Sequence, residues 1–444
     1  MLLRGWAAFM LLCLSSQALA ILPIEHWQSA SGAKVYFVAN RDLPMLDVSV
    51  DFPAGSAYDS REKSGTAAMT HGLLRLGADG LAEDEIARRF ADVGAGIGGR
   101  FDADRAGLSL RTLSDPARRG VALDLLARIL RAPQFPASVL EREKVRQIGA
   151  LKEADLRPDT QASRTFFRLV YRDHPYSYRS VGDVETVGRL TRDDLLDFYR
   201  RHYVADRAVV AIIGDVSRQE AEAIAEQLTG SLPRGGAAAE LPAVEPLPQA
   251  VTRIVAHPAT QSHILIGAPG IRRDDPDYFA LFVGNHILGG GGFVSRINEE
   301  VRQKRGLAYS AYSYFAPQRA RGPFVIGMQT RRDQAEEALA VVRRTLREFI
   351  AEGPTEQELR AARQNITGGF PMRIDSNRKI HEYLAAIGFY NLPVNYLETF
   401  VANIERVSVA DIRAAFARRV DPERMVTVVV GADRDQTLTA QDAR

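Results

Sequence analysis

The chain has 444 residues, 46% of them hydrophobic and 25% charged, the proportions of ordinary globular protein, which excludes disorder and collagen-like repeats. Lys and Arg number 57 against 55 Asp and Glu, and a net charge of +2 gives no electrostatic reason to expect nucleic acid or an anionic membrane as partner. No apolar run reaches the ~18 residues of a membrane span, and the length predicts roughly two to four domains.

Residues 1–20 read as an export signal. Arg4 is their only charge, residues 6–14 form a short apolar block, and Ala18-Leu19-Ala20 fits small-x-small before a cleaved bond. The single cysteine, Cys13, falls in this segment, and Leu12 before it argues against a lipid anchor, so the mature chain starts at Ile21 without a thiol. A periplasmic location is expected.

Leu46, Val48, Val50 and Phe52 alternate with Asp47, Ser49 and Asp51, which predicts a half-buried strand. Met69, Leu73 and Leu76 recur at helical spacing in a helix that Gly77 ends; Ile86, Phe90 and Val93 repeat the pattern, and Gly94 closes it. The run Gly94-Ala95-Gly96-Ile97-Gly98-Gly99 satisfies G-x-G-x-x-G in letters only. A dinucleotide fingerprint leaves a strand and opens a helix, whereas these glycines follow a helix and lead into strands. Ala106, Leu108 and Leu110 alternate in a further strand.

An internal repeat organises the rest. Residues 190–215 and 407–432 share one plan: an N-cap-like Thr191 or Ser408, an amphipathic helix, a short turn, an apolar strand and a glycine. Gly214 and Gly431 are 217 residues apart, as are Asp194 and Asp411, so no gap is needed between them. A period this long points to a duplicated domain, not a solenoid. Residues 230–250, rich in Pro, Gly and Ala, read as a linker between an N-terminal domain over 21–229 and a C-terminal one over 251–444. Hairpins followed by packed helices predict an α+β fold of two homologous α/β sandwiches.

No complete catalytic constellation is visible: H-E-x-x-H, H-x-x-E-H, G-x-S-x-G and P-loop patterns are all absent. His257 and His263 lack a carboxylate at ligand spacing and read as structural or surface residues. Gly289, Gly290, Gly291 and Gly292 form either a flexible corner or a loop whose bare backbone can approach an extended peptide. Gly306 stops the next helix, and the strand after it places Ser310, Tyr312 and Tyr314 on one face and Leu307, Tyr309 and Ala311 on the other. Arg305 is then either a helix-terminal cation or, with the tyrosines, a binder of peptide carbonyls or an oxyanion.

Several segments together resemble the pitrilysin/insulinase family of zinc peptidases, close to its short-chain members and to mitochondrial processing peptidase. They are Ser64-Gly65-Thr66-Ala67, Leu110-Arg111-Thr112-Leu113-Ser114, Glu141-Arg142-Glu143-Lys144, His174-Pro175-Tyr176, residues 190–215, the four glycines with Phe293, and the stretch from Arg305 to Tyr312. The resemblance implies a clam-shell-like half built from duplicated sandwich domains. Active members carry H-x-x-E-H on the first long helix and a Glu 77 residues beyond the second His. Laid on that pattern, Ala68 and Gly72 stand at the ligand histidines, His71 at the general base and Gly149 at the third ligand. Ala and Gly side chains hold no metal, and one imidazole does not make a zinc site. Arg305 and Tyr312, seven apart, match the family's substrate-holding Arg and intermediate-stabilising Tyr.

The resemblance therefore implies a zinc-less subunit of an exported heteromeric endopeptidase. It would bind extended peptides and lend Arg305, Tyr312 and the glycine loop to an H-x-x-E-H partner that holds the zinc; without that partner a homodimer is possible. The alternative is a peptide-binding or scaffold protein of the same fold with no proteolytic role.

Overall fold

The structure, a computed structural model, describes residues 23–432 and 436–439 of the chain. Residues 1–20, read from the sequence as an export signal, and Cys13 within them lie outside the described residues. Runs rich in Val, Ile, Phe and Leu form two sheets, each six-stranded among the described residues, because β-branched and aromatic side chains fit a pleated surface covered by helices. The first holds β1 (Glu25–Gln28), β2 (Lys34–Ala39), β3 (Met45–Phe52), β4 (Gly96–Phe101), β5 (Ala106–Leu113) and β6 (Val209–Gly214). The second holds β7 (Val251–Ala256), β8 (Gln261–Pro269), β9 (Ala308–Phe315), β10 (Pro323–Arg331), β11 (Val426–Ala432) and β12 (Gln436–Thr439).

Their orders are β1-β2-β6-β3-β5-β4 and β12-β7-β11-β8-β10-β9. Only β2 with β6 and β7 with β11 pair in parallel; every other neighbour is antiparallel. The two sheets are thus one design used twice, except that the outermost strand enters before β2 in the first half and after β11 in the second. Thr191 with Asp194 and Ser408 with Asp411 form matching capping boxes. Gly214 and Gly431 both adopt positive φ, 150° and 121°, and each presses against the first residue of the adjoining strand, Met45 or Gln261, where a Cβ would collide with the carbonyl.

The halves also exchange helices. The helix Pro158–Tyr171 packs on the second sheet: Phe166 and Val170 share a core with Val325, Val426, Val428 and Val430, and Phe166 lies 3.0 Å from where a Cβ on Gly267 would stand. Reciprocally, the helix Asn377–Tyr390 covers the first sheet, with Leu384, Ala385 and Ile387 beside Tyr36, Val38, Val209, Ala211 and Ile213. A Cβ on Gly388 would fall 2.5 Å from Val209, so the helix sits as close as a glycine permits. This corrects the half-buried reading of β3. Asp47, Ser49 and Asp51, expected to face water, are 7%, 5% and 1% exposed, because a helix from the other half lies over them. The buried Asp104 carboxylate ties the halves again, accepting from Tyr176 Oη, from Tyr390 Oη at 3.0 Å and from the Arg319 backbone at 2.8 Å.

Residues 230–250 carry neither helix nor strand, and Val244 and Leu247 bury themselves against Tyr171 and Tyr176. Among the described residues no helix is long and apolar enough to cross a membrane.

Candidate functional site

The first long helix, Thr66–Leu73, opens at Gly65, and both oxygens of the buried Asp59 accept its first backbone donors, from Gly65 N and Ala67 N at 2.8 Å each. On this helix Ala68 and Gly72 present no ligand atom. His71 turns inward: its Nε2 donates to the Gly107 carbonyl of β5 at 3.1 Å and its ring stacks on Phe101, 5.5 Å between centroids. Burial, ahead of every other influence, pushes the imidazole pKa below its usual value, so it stays neutral. Gly99 opposite must lack a side chain, since a Cβ there would meet His71 Nε2 at 2.7 Å. Gly149 lies in the helix Ala137–Ala154, where an added Cβ would enter open space. The residues at the four positions do not fit a zinc ion. No group of three or more His, Cys, Asp or Glu among the described residues is arranged to hold any metal.

The second half is built differently at the equivalent edge. The helix Tyr278–Asn285 continues as a wider π turn over His286–Gly290, so Gly289 and Gly290 close a helix instead of forming a free loop. Gly289 abuts Ser313 of β9 so closely that any side chain would collide with its hydroxyl. Asn285 fixes the same place, donating to the Ser313 carbonyl at 3.0 Å and accepting from its hydroxyl at 2.7 Å. Gly289, Gly290, Gly292 and Tyr312 thereby line one cavity of about 400 Å³.

Tyr312 is 42% exposed and lies flat across β10, paired with Gly327, where a Cβ would stand 2.5 Å from the phenol carbon and oxygen. It stacks on Tyr314 at 6.0 Å, as the shared face predicts. Partial burial pushes its pKa up, so the phenol remains a proton donor at neutral pH.

Two expectations about this strand change. The register slips between Gln329 and Thr330, so Tyr309 has no partner in the ladder; it is 82% exposed while Ala311, expected on the same face, is buried. Arg302 lies between the rings of Phe293 and Tyr309, at 4.4 and 5.0 Å from their centroids. The side chain of Arg302, not that of Arg305, borders the cavity. Arg305 folds back on the preceding turn, its Nη1 donating to the Glu300 carbonyl at 2.7 Å and carboxylate at 2.6 Å. The structure thus groups Tyr312 with the glycines and leaves Arg305 beside them, engaged with Glu300.

Sequence reasoning missed Gly327 and the stacking of Arg302 on Phe293. An isolated glycine inside the apolar strand Pro323–Arg331 is a signal that something packs closely there. The Arg302 sandwich depends on the bulge and left no such mark. His257 and His263 stand as expected: His257 donates to the Leu156 carbonyl at 3.0 Å, and His263 sits half-buried on β8.

Comparison with known proteins agrees with this geometry. A family model described as insulinase (peptidase family M16) matches residues 35–183, and one described as the peptidase M16 inactive domain matches residues 189–366. A Helicobacter pylori protein called non-peptidase homolog YmxG is 24% identical over 381 residues, covering 85% of this chain and 87% of its own. The periplasmic protease PqqL from Escherichia coli shares the fold at TM-score 0.78 and 15% identity over 93% of this chain and 46% of its own. A crystal structure of a peptidase M16 inactive domain from Pseudomonas fluorescens superimposes with a TM-score of 0.89 at 38% identity, over 92% of this chain and 98% of that one. With that identity across nearly the full length of both molecules, the chain belongs to the insulinase (M16) peptidase family.

Proposed function

We propose that this chain is the non-catalytic subunit of an exported, heteromeric zinc endopeptidase, acting in the periplasm on extended peptides. The observation that carries the reading is a contrast within one molecule. Helix Thr66–Leu73 has no ligand atoms at Ala68 and Gly72, while Tyr312 is held on Gly327 beside a cavity walled by Gly289, Gly290 and Gly292. A tyrosine whose orientation demands a glycine on the next strand, with its phenol exposed, is organised for a ligand more than for packing.

The zinc belongs to a partner subunit carrying H-x-x-E-H. This chain's Tyr312 hydroxyl donates to the oxygen that gains charge during cleavage, and the glycine walls admit the peptide backbone. Arg305 contributes once a peptide carbonyl or carboxylate competes with Glu300 for its guanidinium. The present closure of Arg305 on Glu300 favours a second reading, a peptide-binding or scaffold protein without proteolytic role.

Reconstitution with the partner distinguishes the two. The isolated chain carries no stoichiometric zinc on elemental analysis and cleaves no peptide, and the complex cleaves in a chelator-sensitive manner. Within it Tyr312→Phe lowers turnover by about 10²–10³, the usual effect of removing one oxyanion donor, and Arg305→Ala lowers it with unchanged melting. Wild-type turnover in both variants would establish the scaffold reading.

A further inference from the structure

The glycines of β4 are of two kinds. Gly99 makes room for His71, whereas Gly96 and Gly98 alternate onto the reverse face of the sheet. There a Cβ on Gly96 meets nothing within 4 Å, and one on Gly98 meets only the Ser109 hydroxyl, at 3.0 Å. Neither glycine adopts a positive φ. A strand glycine that neither its backbone nor a neighbour requires commonly marks a place where a ligand comes close. The space these two leave is a cavity of about 560 Å³ between β3, β5, β4 and the helix Asn377–Tyr390, within the usual range of small-molecule sites.

Most of its charges satisfy one another. Asp47 accepts from Arg111 at 2.7 and 3.0 Å, and Arg378 lies 3.6 Å from Glu382 on the helix. His381 donates to the Ala211 carbonyl at 3.2 Å, and burial holds its pKa below the usual value, so it is neutral. Two opposite charges remain, Asp51 on β3 and Arg100 on β4, one on each side of Gly107 of β5. Asp51 is 1% exposed and leans over Gly107, where a Cβ would collide with its Oδ1; its Oδ2 is buried without a partner. The half-buried Arg100 makes no hydrogen bond or ion pair among the described residues. Arg105 acts on Asp51 as well, but its Nε is spent on Asp102 at 3.1 Å. Strands two places apart in a sheet are separated by about 10 Å, so Asp51 and Arg100 face each other across a gap that neither closes.

We infer that this cavity binds a small zwitterion of the amino-acid class, its ammonium on Asp51 and its carboxylate on Arg100. The charge balance selects this class. Asp51 and Asp102 against Arg100 and Arg105 sum to zero, as do the two satisfied pairs, so neither a plain anion nor a plain cation is favoured. A ligand carrying both charges satisfies the unpaired carboxylate and the unpaired guanidinium together. Burial pushes the Asp51 carboxyl above its ordinary pKa, as expected of a carboxylate short of opposite charge. The absent side chain of Gly98 leaves room for the body of the ligand. The cavity shares no residue with the one beside Tyr312, so the inference stands or falls independently of the proposed function.

The probes are the twenty free L-amino acids and dialanine, each titrated calorimetrically into the full chain. Saturable binding of at least one is expected, and N-acetylation or amidation of that probe should each abolish it. Binding of single amino acids assigns the site to a free amino acid, and binding of dialanine alone assigns it to the two termini of a short peptide; either supports the inference. Asp51→Asn and Arg100→Gln should each weaken binding about tenfold or more. Gly98→Leu, which asks only the Ser109 hydroxyl to turn aside, should abolish it. Arg100 is half-buried at the sheet edge, so Arg100→Gln keeps its melting temperature and remains decisive even if Asp51→Asn fails to fold. No saturation by any probe, undiminished binding of a blocked probe, or wild-type binding by Arg100→Gln and Gly98→Leu would overturn the site.

Discussion

The outer strands β4 and β9 occupy the same place in the two sheets and have been put to opposite uses. β4 carries Gly96, Gly98 and Gly99, and the helix beside it turns His71 inward against Gly107, so that edge is closed by the chain's own side chains. β9 carries Tyr309, Tyr312 and Tyr314, and the helix beside it ends in glycines that keep a cavity open. Glycine serves contrary purposes at the two edges. Gly99 makes room for His71 to withdraw, whereas Gly327 makes room for Tyr312 to lie across the sheet with its hydroxyl presented. Duplication preserved the scaffold and released each edge to change separately.

The largest expected effect tests whether the two halves stand as one unit. Phe166 is wholly buried beneath the second sheet although it belongs to the first half's sequence. Phe166→Ala should destabilise the chain by about 3–5 kcal/mol, measured by urea denaturation. Cooperativity should fall as well, because the exchanged helix couples the sheets. A loss below about 1 kcal/mol would mean that the exchanged helices decorate halves that stand alone.

That exchange also marks where sequence reasoning stops. The repeat, its capping boxes, the helix at Met69 and the strands at Leu46 and Ala106 were legible because each is written in local spacing. The burial of Asp47, Ser49 and Asp51 was not, since alternation reports which residues are apolar and is silent about a helix arriving from more than 300 residues away. At the site, the face shared by Tyr312 and Tyr314 was legible. The exposure of Tyr309 depends on a register slip, and the retreat of Arg305 on Glu300 five residues earlier; neither follows from strand periodicity.

A smaller effect probes the second edge. Gly327→Ala places a methyl 2.5 Å from the Tyr312 ring. Overpacking of this kind typically costs about 1–3 kcal/mol. Expelling Tyr312 from its seat should also reduce turnover of the reconstituted complex about as far as Tyr312→Phe does. A variant that melts lower yet cleaves normally would show that the seat matters for packing alone.

Acid should separate the halves. His202 ends the helix Arg192–His202, its Nδ1 donating to the Pro53 carbonyl at 3.2 Å; burial above all, with Arg201 and Arg207 adding to it, pushes its pKa down to about 4. An unfolded histidine titrates near 6.5, so between about 6.5 and 4 the unfolded chain takes up a proton that the folded one refuses. Stability present above pH 6.5 is therefore lost as the pH falls, by roughly 1–2 kcal/mol at pH 5. The equivalent residue, 217 positions on, is Arg419, paired with Asp275 at 3.0 Å and Asp277 at 2.9 Å. Bonds from Arg418 and Arg419 hold the Asp277 carboxyl below its usual range, so its stabilisation is still present at pH 5 and is lost only as the pH falls through that lowered range. Hydrogen exchange at pH 5 should find Arg192–His202 opening before Val409–Arg419, and simultaneous opening would deny the difference.

The smallest effect concerns His71 and decides whether the first edge is as silent as its chemistry indicates. His71→Ala removes one hydrogen bond to Gly107 and the stacking on Phe101. About 1 kcal/mol of stability should be lost. If the imidazole only fills the space under Gly99, turnover of the reconstituted complex stays at the wild-type value, and so does its pH profile. A catalytic contribution would show differently, as a fall in kcat without a matching fall in melting temperature and a shifted pH profile. The pairing of this variant with Gly327→Ala is therefore informative beyond either alone. Both disturb a side chain laid against a glycine on an equivalent pair of strands, but only the second should be felt in cleavage, because only β9 presents its polar group outward.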